Sequence, residues 1–216
     1  MTSGISCSQS RIHKEYTRKR QRPRTGTGFA ARSWGQRGEP LMQRPPRCWG
    51  LGLARTGNTS FCASLRLLGC DPVEQDPSFE ALRNLRGGSG NTVVLHFKYL
   101  DYLFPGSKFV LTTRSVESWL ASMERSHRRN PRPILGEHER IARRMAIYET
   151  VGFDPQILVS SFGRHHAEVQ RYFAQRPQDL LELRVAEGEG WERLCPFLGV
   201  DAPAGPFPLL NQGFAH

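Results

Sequence analysis

The sequence predicts an α/β fold of three layers, with a mostly parallel central sheet flanked by helices. Two observations predict it. Short apolar runs that read as strands alternate with longer segments of helical periodicity. Glycine and proline punctuate several of the junctions, as at Gly69, Pro105, Gly106 and Gly199.

In chain order, Cys48–Leu53 reads as a strand running into a glycine-bounded loop. A helix follows from about Thr59 to Leu68, with Phe61, Leu65 and Leu68 at helical spacing and Gly69 as the stop. Asp76 and Pro77, a cap followed by proline at the first helical position, predict a second helix to about Arg86. GGSG at 87–90 reads as a flexible break. TVVL at 92–95 reads as a small strand leading into a helical stretch that stops at Pro105 and Gly106. Lys108–Thr113 is the clearest strand, and Val116 to about Arg128 is the helix after it. Helical stretches are expected over roughly 137–151 and 156–174, the second marked by Val169, Tyr172 and Phe173. Strand Leu180–Val185 and a last helix, Trp191–Leu198, complete the order.

The 216 residues carry 30 Lys and Arg against 20 Asp and Glu, a formal net charge of +10. Residues 1–47 hold eleven of the basic side chains and only Glu15 and Glu39, a net +9, so the rest of the chain is nearly neutral at +1. Residues 1–46 therefore read as a basic, disordered N-terminal arm, since Ile5, Ile12, Phe29 and Leu41 are too few to form a core. Residues 47–216 read as the folded α/β domain. The run TRKRQRPR at 17–24 fits a phosphate-binding segment or a nuclear address, and an Arg-rich, acid-poor leader also fits a transit peptide. A plain solvated tail, or upstream sequence ahead of a start at Met42, explains the same composition. Nucleic-acid binding is expected only weakly, through this arm.

Five cysteines (Cys7, Cys48, Cys62, Cys70, Cys195) include no C-x-x-C pair, and the histidines show no ligand spacing. The pattern suits reduced thiols in a reducing, cytoplasmic compartment and predicts no metal site. No stretch of 18 apolar residues and no secretory signal pattern is present, so no transmembrane segment is expected.

Ligands of such sheets bind at the carboxyl ends of the strands. GLARTGNT, Gly52 to Thr59, matches the phosphate-loop pattern G-x-x-x-x-G-K-[ST] at all but one position, between a strand and a helix. Backbone N–H groups and the helix N-terminus of such a loop converge on a phosphate. The exception is Asn58, where a nucleotide triphosphatase needs lysine; a cation stands instead at Arg55. A dinucleotide loop is not supported, because Arg55 occupies the place of its third glycine. A tight turn needing glycine only for geometry is the bland alternative. At the end of the 108–113 strand, Arg114 is followed eight positions later by Ser122, a guanidinium and a hydroxyl suited to one phosphate. Taken alone, an arginine in a surface ion pair and a serine on a solvated helix face are the favoured reading of these two.

Together these segments resemble a sulfotransferase that uses 3′-phosphoadenosine-5′-phosphosulfate, of the small single-domain bacterial type with a P-loop-like fold. GLARTGNTS at 52–60 is similar to the family's 5′-phosphosulfate loop, and FPGSKFVLTTR at 104–114, continuing to Ser122, to its 3′-phosphate strand and helix. RPQDLLELR at 176–184 with GWERLCPFLG at 190–199 resembles its C-terminal strand–helix pair, so the resemblance spans roughly residues 47–199. It implies that Arg55 meets the transferring sulfuryl group, that Thr56, Gly57, Asn58, Thr59 and Ser60 cradle the 5′-phosphate, and that Arg114 and Ser122 hold the 3′-phosphate. Asn58 departs from the family's threonine or serine, and Asn91 lies near where an acidic residue is expected.

The implied reaction moves a sulfuryl group to a hydroxyl or amine of a small-molecule acceptor, with fixed cations in place of a metal. His96 is the leading candidate for the base, with His165, His166, Asp76 and Glu74 behind it. A partly buried structural histidine is the competing reading of His96. Arg125, Arg128, Arg129 and Arg132 fit either a solvated helix face or attraction of an acidic acceptor. A nucleotide kinase or triphosphatase, and a nucleotide-binding protein without turnover, remain as alternatives.

Overall fold

A computed structural model describes residues 45–129 and 138–210. The predicted arm lies outside the described residues except at its last two positions. Five parallel strands form one sheet in the order β2-β3-β1-β4-β5, flanked by helices on both faces. The strands are β1 (Cys48–Gly50), β2 (Val73–Gln75), β3 (Gly87–Ser89), β4 (Lys108–Thr112) and β5 (Leu180–Leu183). The helices are α1 (Asn58–Leu67), α2 (Asn91–Leu103), α3 (Val116–Arg129), α4 (His138–Tyr148), α5 (Pro155–Phe173) and α6 (Trp191–Leu198). The α/β prediction with a parallel, helix-covered sheet therefore holds.

Strand alternation sorts the core. In β4, Phe109 and Leu111 face one side with Trp49, Phe97, Leu100 and Phe173, whereas Val110 faces the other with Phe61, Leu65 and Leu194. That period of two is why β4 is buried on both faces and reads as a continuous apolar run. A third cluster, with Leu53, Trp119, Tyr148, Leu158 and Phe162, lies beneath the loop that follows β1.

Three elements between residues 73 and 103 differ from the sequence expectation. Strand β2 ends at Gln75, and the segment predicted as a helix from Asp76 to about Arg86 holds only a single 3₁₀ turn, Ala81–Asn84. Asp76 has a positive φ of 54°, and its carboxylate accepts a hydrogen bond from Asn91 N–H at 3.0 Å, so it caps another helix. The GGSG segment is no flexible break, since Gly87–Ser89 is the buried strand β3. A Cβ at Gly87 would lie 2.6 Å from the Cys48 carbonyl oxygen, and one at Gly88 2.7 Å from that of Glu74. Glycine here allows close strand approach. The strand expected at 92–95 is the start of helix α2. Val93, Phe97 and Leu100 form a buried stripe at helical spacing, and burial of that stripe overrides the β preference of two valines.

Elsewhere only boundaries move. Strand β1 stops at Gly50 rather than Leu53, β4 at Thr112, and β5 at Leu183, beyond which Val185–Glu187 forms a 3₁₀ turn. Helix α5 begins as its sequence directs, with the Asp154 carboxylate accepting from Gln156 and Ile157 N–H and Pro155 at the first position.

Candidate functional site

The carboxyl ends of β1 and β4 lie side by side, which brings the two sequence motifs together. After β1 the chain makes the loop 51–57 and enters α1 through Gly57, whose φ is 113°. That left-handed backbone suits glycine, and Gly57 offers no side-chain cap to the first N–H groups of α1. No acidic residue occupies the first turn of this helix. The N-terminus therefore keeps its partial positive charge for an anion.

Two buried aromatic residues hold the loop. Trp119 Nε1–H donates to the Ala54 carbonyl at 2.9 Å, and Ala54 N–H donates to Tyr148 Oη at 2.8 Å. A polar network fixes the other end. Asn58 Nδ2 donates to the carbonyls of Gly52 (2.9 Å) and Leu53 (3.2 Å), and Thr112 Oγ1 donates to Asn58 Oδ1 at 2.9 Å. Thr56 Oγ1 lies 2.8 Å from both Thr112 Oγ1 and the Leu53 carbonyl, so its one proton serves either. The Asn58 and Thr56 side chains therefore brace the loop. Of Asn58, the backbone N–H remains for a ligand.

Arg55 sits at the crest with a φ of 72°, a left-handed backbone that costs roughly 1–2 kcal/mol outside glycine. Its Nε donates to Ser122 Oγ at 3.2 Å. Arg114 donates through one terminal nitrogen to the Arg55 carbonyl at 3.4 Å and through the other to Ser118 Oγ, while its Nε is buried without a partner. Residues 55, 114 and 122, far apart in sequence, thus meet at one loop. Burial, then Arg129 and Arg125, lowers the Arg55 pKa; burial, then Arg125 and Arg55, lowers that of Arg114. Both guanidiniums stay charged at neutral pH, yet each sits among like charges that an anion would relieve.

These groups open into a cleft of ≈590 Å³. Arg55, Gly57, Asn58, Thr59, Ser60, Arg114 and Ser122 line it; Thr56 does not. Ser60 Oγ accepts from Leu210 N–H at 2.9 Å, so the C-terminal segment passes beside the loop, and Leu209 joins the lining. His96 is not part of the lining. It belongs to α2, at a non-helical kink (φ −116°, ψ 17°), with its ring edge-on to Phe79 at 4.6 Å. Burial and Arg143 lower its pKa. The carboxylate that does line the cleft is Asp76. Sequence reasoning missed Thr112, Trp119 and Tyr148 as loop supports, although Trp119 lies between the two residues of the second motif.

A model of the sulfotransferase domain family matches residues 74–216, more than half of the chain. This chain belongs to that sulfotransferase domain family. No curated protein matches it significantly. In this sulfotransferase domain the match includes Asp76, Arg114 and Ser122, whereas the loop from Gly52 to Ser60 lies ahead of it. Sulfuryl transfer thus joins the anion-binding chemistry read from the loop geometry. Among the described residues, no helix of the domain is long and apolar enough to cross a membrane, and no group of three or more His, Cys, Asp and Glu is placed to hold a metal.

The two adjacent histidines of α5 contact the residues that follow β1 and β4. His165 Nε2 lies 2.7 Å from the Leu51 carbonyl and donates to it, and burial lowers its pKa. His166 Nε2 lies 3.3 Å from Thr113 Oγ1 and its ring stacks on Phe162 at 4.2 Å. Burial, then His165, pulls the His166 pKa down to about 4. The fold holds it neutral, so the unfolded chain binds the extra proton first as pH falls. This stabilising contribution is complete above about pH 6.5 and is lost as pH falls toward 4. In urea titrations across that range, the stability difference between wild type and His166→Asn is expected to shrink steadily. A difference independent of pH would remove the assignment.

Proposed function

We propose that this protein transfers a sulfuryl group from 3′-phosphoadenosine-5′-phosphosulfate to a hydroxyl or amine of a small-molecule acceptor. The observation that carries this reading is the meeting of Arg55, Arg114 and Ser122 at a helix N-terminus without a side-chain cap. The buried, unpartnered Nε of Arg114 fits the same reading, since a phosphate oxygen gives it an acceptor. Backbone N–H groups of residues 57–60 would hold the 5′-phosphate, and Arg114 with Ser122 the 3′-phosphate. The donor supplies an activated sulfuryl group on a phosphate leaving group.

Transfer forms a bond from the acceptor oxygen or nitrogen to sulfur and breaks the S–O bond to the phosphate. The leaving oxygen keeps the electron pair. Arg55 stabilises that developing charge, which is where a fixed cation has most effect. The acceptor proton needs a base, and Asp76 takes this role because it lines the cleft and His96 does not. One Asp76 oxygen is held by Asn91 N–H, which orients the carboxylate.

The kinase or triphosphatase reading gains no support from the loop. Asn58 stands at the lysine position and its amide is spent on Gly52 and Leu53.

Calorimetry with adenosine 3′,5′-bisphosphate tests the proposal. Wild type is expected to bind, and Arg114→Ala to bind at least about tenfold more weakly, the worth of a lost charge-assisted contact. No binding by wild type at millimolar ligand sinks the reading.

A further inference from the structure

Six arginines line the cleft: Arg55 and Arg114, then Arg125 and Arg129 from α3, and Arg140 and Arg144 from α4. Among the described residues, Asp76 is the sole carboxylate in the lining. Each helix contributes its pair four residues apart, so each pair shares one helix face. Like charges at that spacing destabilise a helix.

The same two helices treat their other arginines differently. Arg128 pairs with Glu124 at 2.7 Å, and Arg143 pairs with Glu139 at 3.6 Å. Neither Arg128 nor Arg143 lines the cleft. Arg125, Arg129 and Arg144, which do, have no carboxylate partner within ion-pair distance among the described residues. Arg144 lies over the Tyr148 ring, 5.2 Å from its centroid, and its Nε is buried without a hydrogen bond. Glu124 and Glu139 thus pair with arginines outside the cleft and do not line it themselves.

The positions also separate into two banks. Arg125 bears on both Arg55 and Arg114, on the side read above as the nucleotide's, whereas Arg129 bears on Arg55 alone, the residue read as acting at the sulfuryl group. Arg144 and Asp76 both act on the Tyr148 hydroxyl, whose pKa burial pushes up to about 12. Arg144 also lines the same cleft as the carboxylate read as the acceptor's base. Helix ends explain little of this: Arg129 closes α3, where a cation is favourable, but Arg140 lies in the first turn of α4, where it is not.

We infer that the acceptor of this protein is itself an anion: a hydroxyl or amine compound carrying a carboxylate, sulfate or phosphate group that Arg144 and Arg129 bind beside Asp76. This rests on the sulfuryl-transfer reading above. It also turns Arg125 and Arg129 from a solvated helix face into site residues, and Arg128 into a surface pair.

The test uses protein saturated with adenosine 3′,5′-bisphosphate, titrated calorimetrically with three matched pairs: glucuronate and glucose, 4-hydroxybenzoate and 4-hydroxybenzamide, glycerol 3-phosphate and glycerol. The anionic member of at least one pair is expected to bind at least tenfold more tightly than its neutral partner. Arg129→Gln with Arg144→Gln is expected to remove that preference while changing bisphosphate affinity less than about threefold. Equal binding within all three pairs overturns the inference and leaves the nucleotide reading intact. A double variant that loses the bisphosphate as strongly as the anionic probe also overturns it, by giving these arginines to the nucleotide. Failure of wild type to bind the bisphosphate at all is a separate readout and removes the parent reading instead.

Discussion

Gly52→Ala is expected to destabilise the fold by about 3 kcal/mol or more and to abolish binding of adenosine 3′,5′-bisphosphate. A Cβ at this position would lie 1.8 Å from Thr112 Oγ1, 2.4 Å from Thr56 Oγ1 and 2.6 Å from the Thr112 carbonyl oxygen. The hydroxyls belong to the buried network that fixes the loop, and the carbonyl belongs to the neighbouring strand, so no flexible chain end can yield. Overpacking of ordinary cores costs about 1–3 kcal/mol, and contact with backbone on one side puts this case at or beyond the upper end. The loop must move off β4 to relieve it, which parts Arg55 from Ser122 and Arg114. Gly163→Ala is the matched control. Gly163 lies within helix α5 with nothing within 4 Å of a built Cβ, so alanine there is expected to stabilise by about 0.5–1 kcal/mol. Urea denaturation of both variants checks the pair; similar midpoints for the two would show that the loop tolerates what the geometry forbids.

That contrast also shows which parts of the molecule are legible in sequence. The chain order of strand, glycine loop and helix around Gly52 and Gly57 was readable because phosphate loops need small residues at fixed spacing. Strand β4 was readable because a strand buried on both faces must be apolar throughout. Strand β3 was not, because its residues are Gly87, Gly88 and Ser89. Glycine carries no periodicity, and the requirement for it comes from Cys48 and Glu74 backbone on neighbouring strands. The start of helix α2 reads as a strand at Val93 and Val94 because the residues that decide it, Phe97 and Leu100, lie beyond a four-residue window. Within the site, residue types and spacing pointed to Arg55, Arg114 and Ser122 as separate anion contacts. Their direct hydrogen bonding, and the support from Trp119, Tyr148 and Thr112, depend on the pairing of β1 with β4 and on the third core cluster. No spacing rule encodes those. Exposure was equally unreadable: Arg125, Arg128 and Arg129 look alike in sequence, and only the rotation of α3 separates the two in the cleft from the one outside it.

Arg55→Ala carries the largest expected effect on chemistry, a loss of about 10²–10³-fold in the rate of sulfuryl transfer. On the proposed reading its guanidinium acts on charge that develops on the leaving oxygen as the S–O bond breaks, charge that the bisphosphate product carries in full and the intact donor does not. Binding of the intact donor should therefore weaken less than about tenfold, and that of adenosine 3′,5′-bisphosphate by more than the donor's, while turnover falls by two to three orders of magnitude. Because the natural acceptor is unassigned, slow hydrolysis of the donor to the bisphosphate serves as the assay. The backbone supplies a second arm to the experiment. With φ at 72°, Arg55 occupies a conformation that glycine adopts without strain, so Arg55→Gly should be about 1 kcal/mol more stable than Arg55→Ala. Both variants lack the cation, and both should be equally slow. If activity followed stability instead, with glycine restoring turnover, Arg55 would be a loop-shaping residue and the cation at the crest would have no part in the chemistry. Equal loss in the two variants, with donor binding largely kept, places the effect on the guanidinium itself. Lysine at this position restores charge but not the planar fork that reaches Ser122 Oγ through Nε, so Arg55→Lys should recover only part of the rate.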